Sequence, residues 1–195
     1  MELNDKIGIT SSMYNNDCNT EIKQCCILEN IKFYSINDTF NGIVLTPICE
    51  IYQKKADYLI IAQIIPLKIF FETFLIENNF TDKEILGLNS IDNNRIEKIH
   101  AKFRDKYLKN KTYRFHFLPE NKCIFDNSII DFNLIESINI KDFEKYNKIC
   151  EIMPPWDASI ISRFTAYCVR VGTNDFGNDF FKEVLNKISR LEKNS

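Results

Sequence analysis

The stretch Tyr58-Leu59-Ile60-Ile61-Ala62-Gln63-Ile64-Ile65, set between Asp57 and Pro66, decides the fold class. It is a near-continuous apolar run of strand length, the pattern of a central strand buried on both faces. Pro66 then changes the period. Leu67, Phe70, Phe71, Phe74 and Leu75 fall on one face at helical spacing, and a proline suits the first turn of a helix. A buried strand passing straight into an amphipathic helix predicts an α+β chain.

Working upstream, Asn41-Gly42 reads as a turn, followed by the β-branched run Ile43-Val44-Leu45-Thr46-Pro47-Ile48-Cys49-Glu50-Ile51. Pro47 cannot donate to a ladder, so this strand is expected at an edge, or bulged or broken there. The short basic link 53–56 suits a hairpin. Residues 31–36 alternate as another strand, while 21–29 fits strand or helix. Downstream, Thr81-Asp82-Lys83-Glu84 has the form of a capping box, with Gly87 as the stop. Over 92–110, Ile96, Ile99, Phe103 and Tyr107 form an apolar helical stripe, flanked by Arg95, Lys98, Lys102, Arg104, Lys106 and Lys109. That basic face reads either as a solvated outer surface or as a phosphate-facing one that could take nucleic acid.

Strand patterns return at 113–118, 128–132 and 134–140. Pro154-Pro155-Trp156-Asp157 then opens a helix with Trp156, Ile160, Phe164, Tyr167 and Val171 along one stripe, and a last helix is expected near 178–191. The expected architecture is one domain over 1–195. It comprises a small, mostly antiparallel sheet or partly closed barrel, a helical insert at 67–110, and a C-terminal helical pair over 154–193 packed on the sheet.

Of the 195 residues, 45% are hydrophobic and 27% charged, with 25 Lys+Arg against 27 Asp+Glu. This excludes collagen-like and disordered classes, and the balanced charge argues against a nucleic-acid binder driven by bulk charge. Heavy use of Ile, Asn and Lys matches an AT-rich coding background, which makes each of the six Arg informative, because Arg offers a planar fork that Lys lacks. No signal peptide is visible, and the longest apolar stretch, 58–71, is interrupted by Gln63, Pro66 and Lys68 and falls short of the roughly 20 residues that span a bilayer. A cytoplasmic protein with no membrane contact is expected. Seven Cys, at 18, 25, 26, 49, 123, 150 and 168, form no CxxC pair and read as free thiols rather than metal ligands.

The nucleotide and hydrolase signatures are missing: no Gly-x-Gly-x-x-Gly, no phosphate loop, no His-Glu-x-x-His and no Gly-x-Ser-x-Gly. No cofactor or metal is called for. Two groups of residues carry the remaining chemistry. Cys49 and His116, with a carboxylate such as Glu50, would make a thiolate–imidazole pair if their strands were neighbours; otherwise Cys49 is core. Arg163, Tyr167 and Arg170, at i, i+4 and i+7, form a polar strip on the helix that starts at Trp156. Their guanidinium groups are expected to hold an internal carboxylate such as Asp131, Glu136 or Asp157, with a protein interface or an anionic ligand as the alternatives.

Three segments also carry a resemblance. Gly42-Ile43-Val44-Leu45-Thr46-Pro47-Ile48-Cys49-Glu50-Ile51 is similar to a Gly-x-x-Leu-Ser/Thr-x-x-Cys-Asp-Ile motif. Arg114-Phe115-His116-Phe117-Leu118-Pro119 with Ile130-Asp131-Phe132 resembles an Arg-Phe-x-x-Leu-Pro strand and its Val-Asp-Phe companion. Arg163-Phe164 through Arg170-Val171-Gly172-Thr173 resembles a closing Arg-Phe...Arg-x-Gly-Thr helix end. Together these resemble a group of bacterial proteins without assigned activity, met beside signalling or phage-defence genes. One departure is Glu50 where that motif has Asp, which lengthens the acid by a methylene and disfavours a role in acid–base catalysis.

The resemblance implies a non-enzymatic interaction or regulatory subunit of a bacterial defence or stress-response system, with a protein partner. Two alternatives remain open. One is a toxin-like ribonuclease on a small barrel using Glu50, His116 and Arg114 or Arg163. The other is a small-molecule sensor in which Arg163 and Arg170 read an anionic ligand.

Overall fold

A computed structural model describes residues 13–16, 21–86, 92–121 and 124–170. Seven strands among these residues form one open antiparallel sheet: β1 (Tyr14–Asn15), β2 (Cys26–Phe33), β3 (Asp38–Val44), β4 (Tyr58–Pro66), β5 (Phe115–Leu118), β6 (Ser128–Asn139) and β7 (Lys148–Ile152). Their order across the sheet is β1-β7-β2-β3-β4-β6-β5. The chain is α+β as the periodicities predict, and the sheet does not close into a barrel.

The decisive run is β4, flanked by β3 and β6. Burial on both faces holds for Ala62, Gln63 and Ile64, whereas Tyr58 and Ile60 at its beginning are exposed. Asn41-Gly42 is not a turn but lies inside β3. There a Cβ on Gly42 would stand 2.3 Å from Ile61 Cγ2 and 3.1 Å from Ile31 Cγ1, so the missing side chain is what lets the neighbouring strands close up. The β2–β3 hairpin turns at Tyr34 to Asn37 instead, with Asn37 at φ 54°, in the left-handed region that Asn tolerates.

The proline in the following run breaks the strand. β3 stops at Val44, and Pro47 precedes α1 (Ile48–Tyr52), whose first turn is closed by Glu50 N–H donating to Pro47 O at 3.0 Å. After β4 the insert begins with α2 (Leu67–Glu77) and α3 (Asp82–Leu86). The Thr81–Glu84 capping box forms as its sequence predicts, Thr81 N–H donating to Glu84 Oε2 at 2.8 Å and Glu84 N–H to Thr81 Oγ1 at 3.4 Å. Next comes α4 (Asn93–Phe103), capped by Asp92 and continued by one π-helical segment, Arg104–Leu108. A 3-10 helix (Ile140–Lys145) joins β6 to β7, and α5 (Trp156–Arg170) follows β7. The helix expected near 178–191 lies outside the described residues.

Two layers flank the sheet. On one face α5 lays Trp156, Ile160, Phe164 and Tyr167 against Ile43, Ala62, Ile130 and Phe132. On the other, α1 and the 3-10 helix cover the β2–β3–β4 side through Ile51 and Phe143. The insert covers the β5–β6 side of that same face through Phe74, Phe103 and Tyr107 over Ile129, Phe115 and Phe117. Between these two apolar clusters lies a stretch of sheet, at Gln63 and Asp131, that belongs to neither.

Candidate functional site

That stretch of sheet carries a bulge, because β6 is one strand and not two. Ala62 pairs with Ile135, yet the next residue, Gln63, pairs with Asp131, so residues 132–134 are extra on β6. The register across the floor is then Gly42 opposite Gln63, Gln63 opposite Asp131, and Asp131 opposite Phe115. Facing residues in an antiparallel ladder share a face, so two polar side chains stand together in an otherwise apolar surface.

Asp131 is 1% exposed and receives a full fork from Arg114. The guanidinium donates from Nε to Oδ1 at 2.8 Å and from Nη2 to Oδ2 at 2.6 Å. The bulge supplies a third donor, Asn133 N–H to Oδ1 at 2.9 Å. These hydrogen bonds to Asp131 hold the half-exposed Arg114 guanidinium above its ordinary pKa. Its carbon also rests 4.7 Å from the Phe115 ring centroid, a cation–π contact. Gln63, equally buried at 1%, differs: its Oε1 is shut from solvent and accepts no hydrogen bond from the described residues.

Above this floor lies a cavity of about 550 Å³. Phe70 and Phe74 of α2, Tyr107 of the π segment and Phe115 of β5 line the insert side. These rings hold one another edge-on, with centroids 5.0 Å apart for Phe70–Tyr107, 5.0 Å for Phe70–Phe115 and 5.4 Å for Tyr107–Phe115. Phe40 and Ile36 line the opposite side, and Lys106 and Glu77 also contribute charged groups. A second depression of about 570 Å³, at Leu67, Phe71, His100 and Leu108, contains none of the unpartnered buried polar atoms among the described residues.

Of the residues offered from the sequence, Arg114 lines this cavity, together with Lys106 of the basic face and Asp131 from the expected acids. Cys49 and Glu50 are on α1, not in a strand, and Cys49 is exposed rather than core. His116 is 6% exposed and alternates with Phe115 and Phe117, so it faces α5, on the side of the sheet opposite α1. The structure therefore does not bring Cys49 or Glu50 to His116. Burial, and secondarily the Arg163 cation, push the His116 imidazole down to about 4, and its Nδ1 is buried without a partner among the described residues.

Arg163 does not hold a carboxylate among the described residues. Its Nη2 donates to Phe115 O at 3.0 Å and to Thr112 O, and its buried Nε has no partner among the described residues. Of the acids expected for it, Asp131 is taken by Arg114 from the other face, Glu136 accepts from Tyr34 N–H and Asp157 from Ala158 N–H. Tyr167 donates its hydroxyl to Asn133 Oδ1 at 2.8 Å, touching the bulge that also supplies the Asn133 N–H to Asp131. The Arg170 side chain lies outside the described residues.

The basic helix face is largely engaged within the insert. Arg95 pairs with Glu84 at 2.7 Å and stacks 4.1 Å over Phe80, Lys109 pairs with Asp105 at 2.6 Å, and Lys102 donates to Asn78 at 2.6 Å. Among the described residues no group of three or more His, Cys, Asp and Glu could hold a metal ion. No helix among them is long and apolar enough to cross a membrane.

Sequence reasoning missed Gln63 as a site residue. Its signal is a single amide inside the apolar run 58–65. No protein-family model matches the chain, and no curated protein matches it in sequence.

Proposed function

We propose that the protein is a non-enzymatic regulatory subunit that works by binding a small molecule in the cavity between the sheet and its helical insert. The observation that carries this reading is Gln63 Oε1, an acceptor buried without a donor beside the Asp131–Arg114 fork on the floor of a ring-lined cavity. A buried acceptor left unpaired in the free protein costs stability that a ligand donor would restore. The volume and the mainly apolar lining with a few convergent polar groups match small-molecule sites.

The sensor is thereby moved from the α5 face, where Arg163 and Arg170 suggested it, to the insert face. Arg114 takes the role first given to Arg163. The resemblance to bacterial proteins found beside defence genes supports a regulatory setting in which a protein partner responds to the loaded state. A ribonuclease built on Glu50 and His116 is less favoured, because those residues stand on opposite faces of the sheet and share no reaction centre.

Native mass spectrometry of the protein purified from its own host tests the reading. A stoichiometric small-molecule adduct that disappears on mild activation is the expected result. A chain carrying no adduct from any growth condition, with the cavity filled by its own side chains in a crystal structure, would count against it.

A further inference from the structure

We infer that the ligand is a planar heteroaromatic ring presenting an amino group beside a ring N–H, the donor–donor edge of a guanine-type base; this rests on the small-molecule reading above. Counting acceptors on the cavity floor leads there. A carboxylate offers about four lone-pair sites. On Asp131 three are used, two on Oδ1 by Arg114 Nε and Asn133 N–H and one on Oδ2 by Arg114 Nη2. One site on Oδ2 remains. Gln63 Oε1, on the residue paired with Asp131 in the ladder, has none of its capacity used. The floor therefore carries two acceptors on paired residues, both closed to solvent in the free protein, and a ligand edge that displaces their cover and matches them carries two neighbouring donors.

The walls select shape. Phe70, Tyr107 and Phe115 lock one another edge-on, which fixes an apolar surface against which a flat ring can lie. Edges that alternate donor and acceptor fit poorly. The amino group of adenine would satisfy one floor acceptor, but its neighbouring ring nitrogen would oppose the other. A hypoxanthine ring keeps the ring N–H and loses the amino group. A site whose buried polar groups are left unpaired by the wrong edge discriminates strongly.

Isothermal titration of the full chain with guanosine, inosine and adenosine tests this, alongside Gln63→Met, which replaces the amide with an apolar chain of similar length. Guanosine is expected to bind, inosine to bind at least about tenfold more weakly, and adenosine more weakly still. Gln63→Met should melt at or a few degrees above the wild type and lose at least about tenfold in guanosine affinity. Equal affinity for the three nucleosides, no binding of guanosine, or an unchanged guanosine affinity in Gln63→Met would each overturn the assignment.

A parallel thermal-shift series with benzimidazole and quinazoline separates this failure from failure of the cavity itself. Stabilisation of the wild type by these rings, abolished when Thr73→Trp plugs the cavity, would keep the binding site while the guanine edge falls. No stabilisation by any ring or nucleoside would overturn both.

Discussion

Gln63 and Asp131 are paired in the same ladder, equally buried, and opposite in their satisfaction. Asp131 has three N–H donors, whereas Gln63 Oε1 has none. Removing an unsatisfied acceptor relieves its desolvation cost, so Gln63→Met should raise the unfolding free energy of the free protein by about 1 kcal/mol in a urea titration. Arg114→Lys should lower it by about 1–2 kcal/mol, because a point charge cannot reproduce the two-pronged contact and leaves Asp131 under-paired. His116 gives a pH signature. Its folded-state pKa of about 4 lies below the ordinary 6.5, so the unfolded chain takes up a proton that the folded one refuses. The associated stability is complete above pH 6.5 and is lost as pH falls toward 4, by up to about 3 kcal/mol. Comparing urea midpoints at pH 7 and pH 4.5 for wild type and His116→Leu should show the steeper acid loss in the wild type. At this scale the sequence pointed to Arg163 and Arg170 for an internal carboxylate, whereas the fork on Asp131 belongs to Arg114 and Arg163 donates to a backbone carbonyl. Arg114 and Arg163 are both near β5, and only strand register decides which face each one serves.

Elements whose ends carry local signals were legible. Pro66 opens α2, the Thr81–Glu84 box opens α3, and the stripe of Ile96, Ile99 and Phe103 produces α4. The bulge at 132–134 was not legible, because it is set by how β6 registers against β4 and β5 rather than by its own residues. The same holds for Gly42, whose neighbour Asn41 imitates a hairpin turn while the glycine answers to Ile61 across the sheet. Gly42→Ala should cost about 1–3 kcal/mol through overpacking, read as a lower urea midpoint at unchanged slope. The docking of α5 rests on Ile160, which is fully buried against the sheet. Ile160→Ala should cost about 2–5 kcal/mol by the same measurement. An Ile160→Ala protein as stable as wild type would detach α5 from the core.

At the scale of the whole molecule, periodicity was sufficient for the class, an antiparallel sheet with a helical excursion between β4 and β5. It was silent on strand order, where β7 returns to lie between β1 and β2. The insert over the β5–β6 side and α1 over the β2–β3–β4 side of one face leave between them the cavity at Gln63 and Asp131. The candidate site is therefore a product of topology more than of any contiguous motif. A crystal structure of the protein purified from its own host, at a resolution that separates ring from solvent, tests the central claim most directly. Density for a planar group against the Phe70–Tyr107–Phe115 wall, with a donor within hydrogen-bond distance of Gln63 Oε1, is the result expected. A cavity collapsed onto its own side chains, with Gln63 Oε1 accepting from a protein donor, would contradict it.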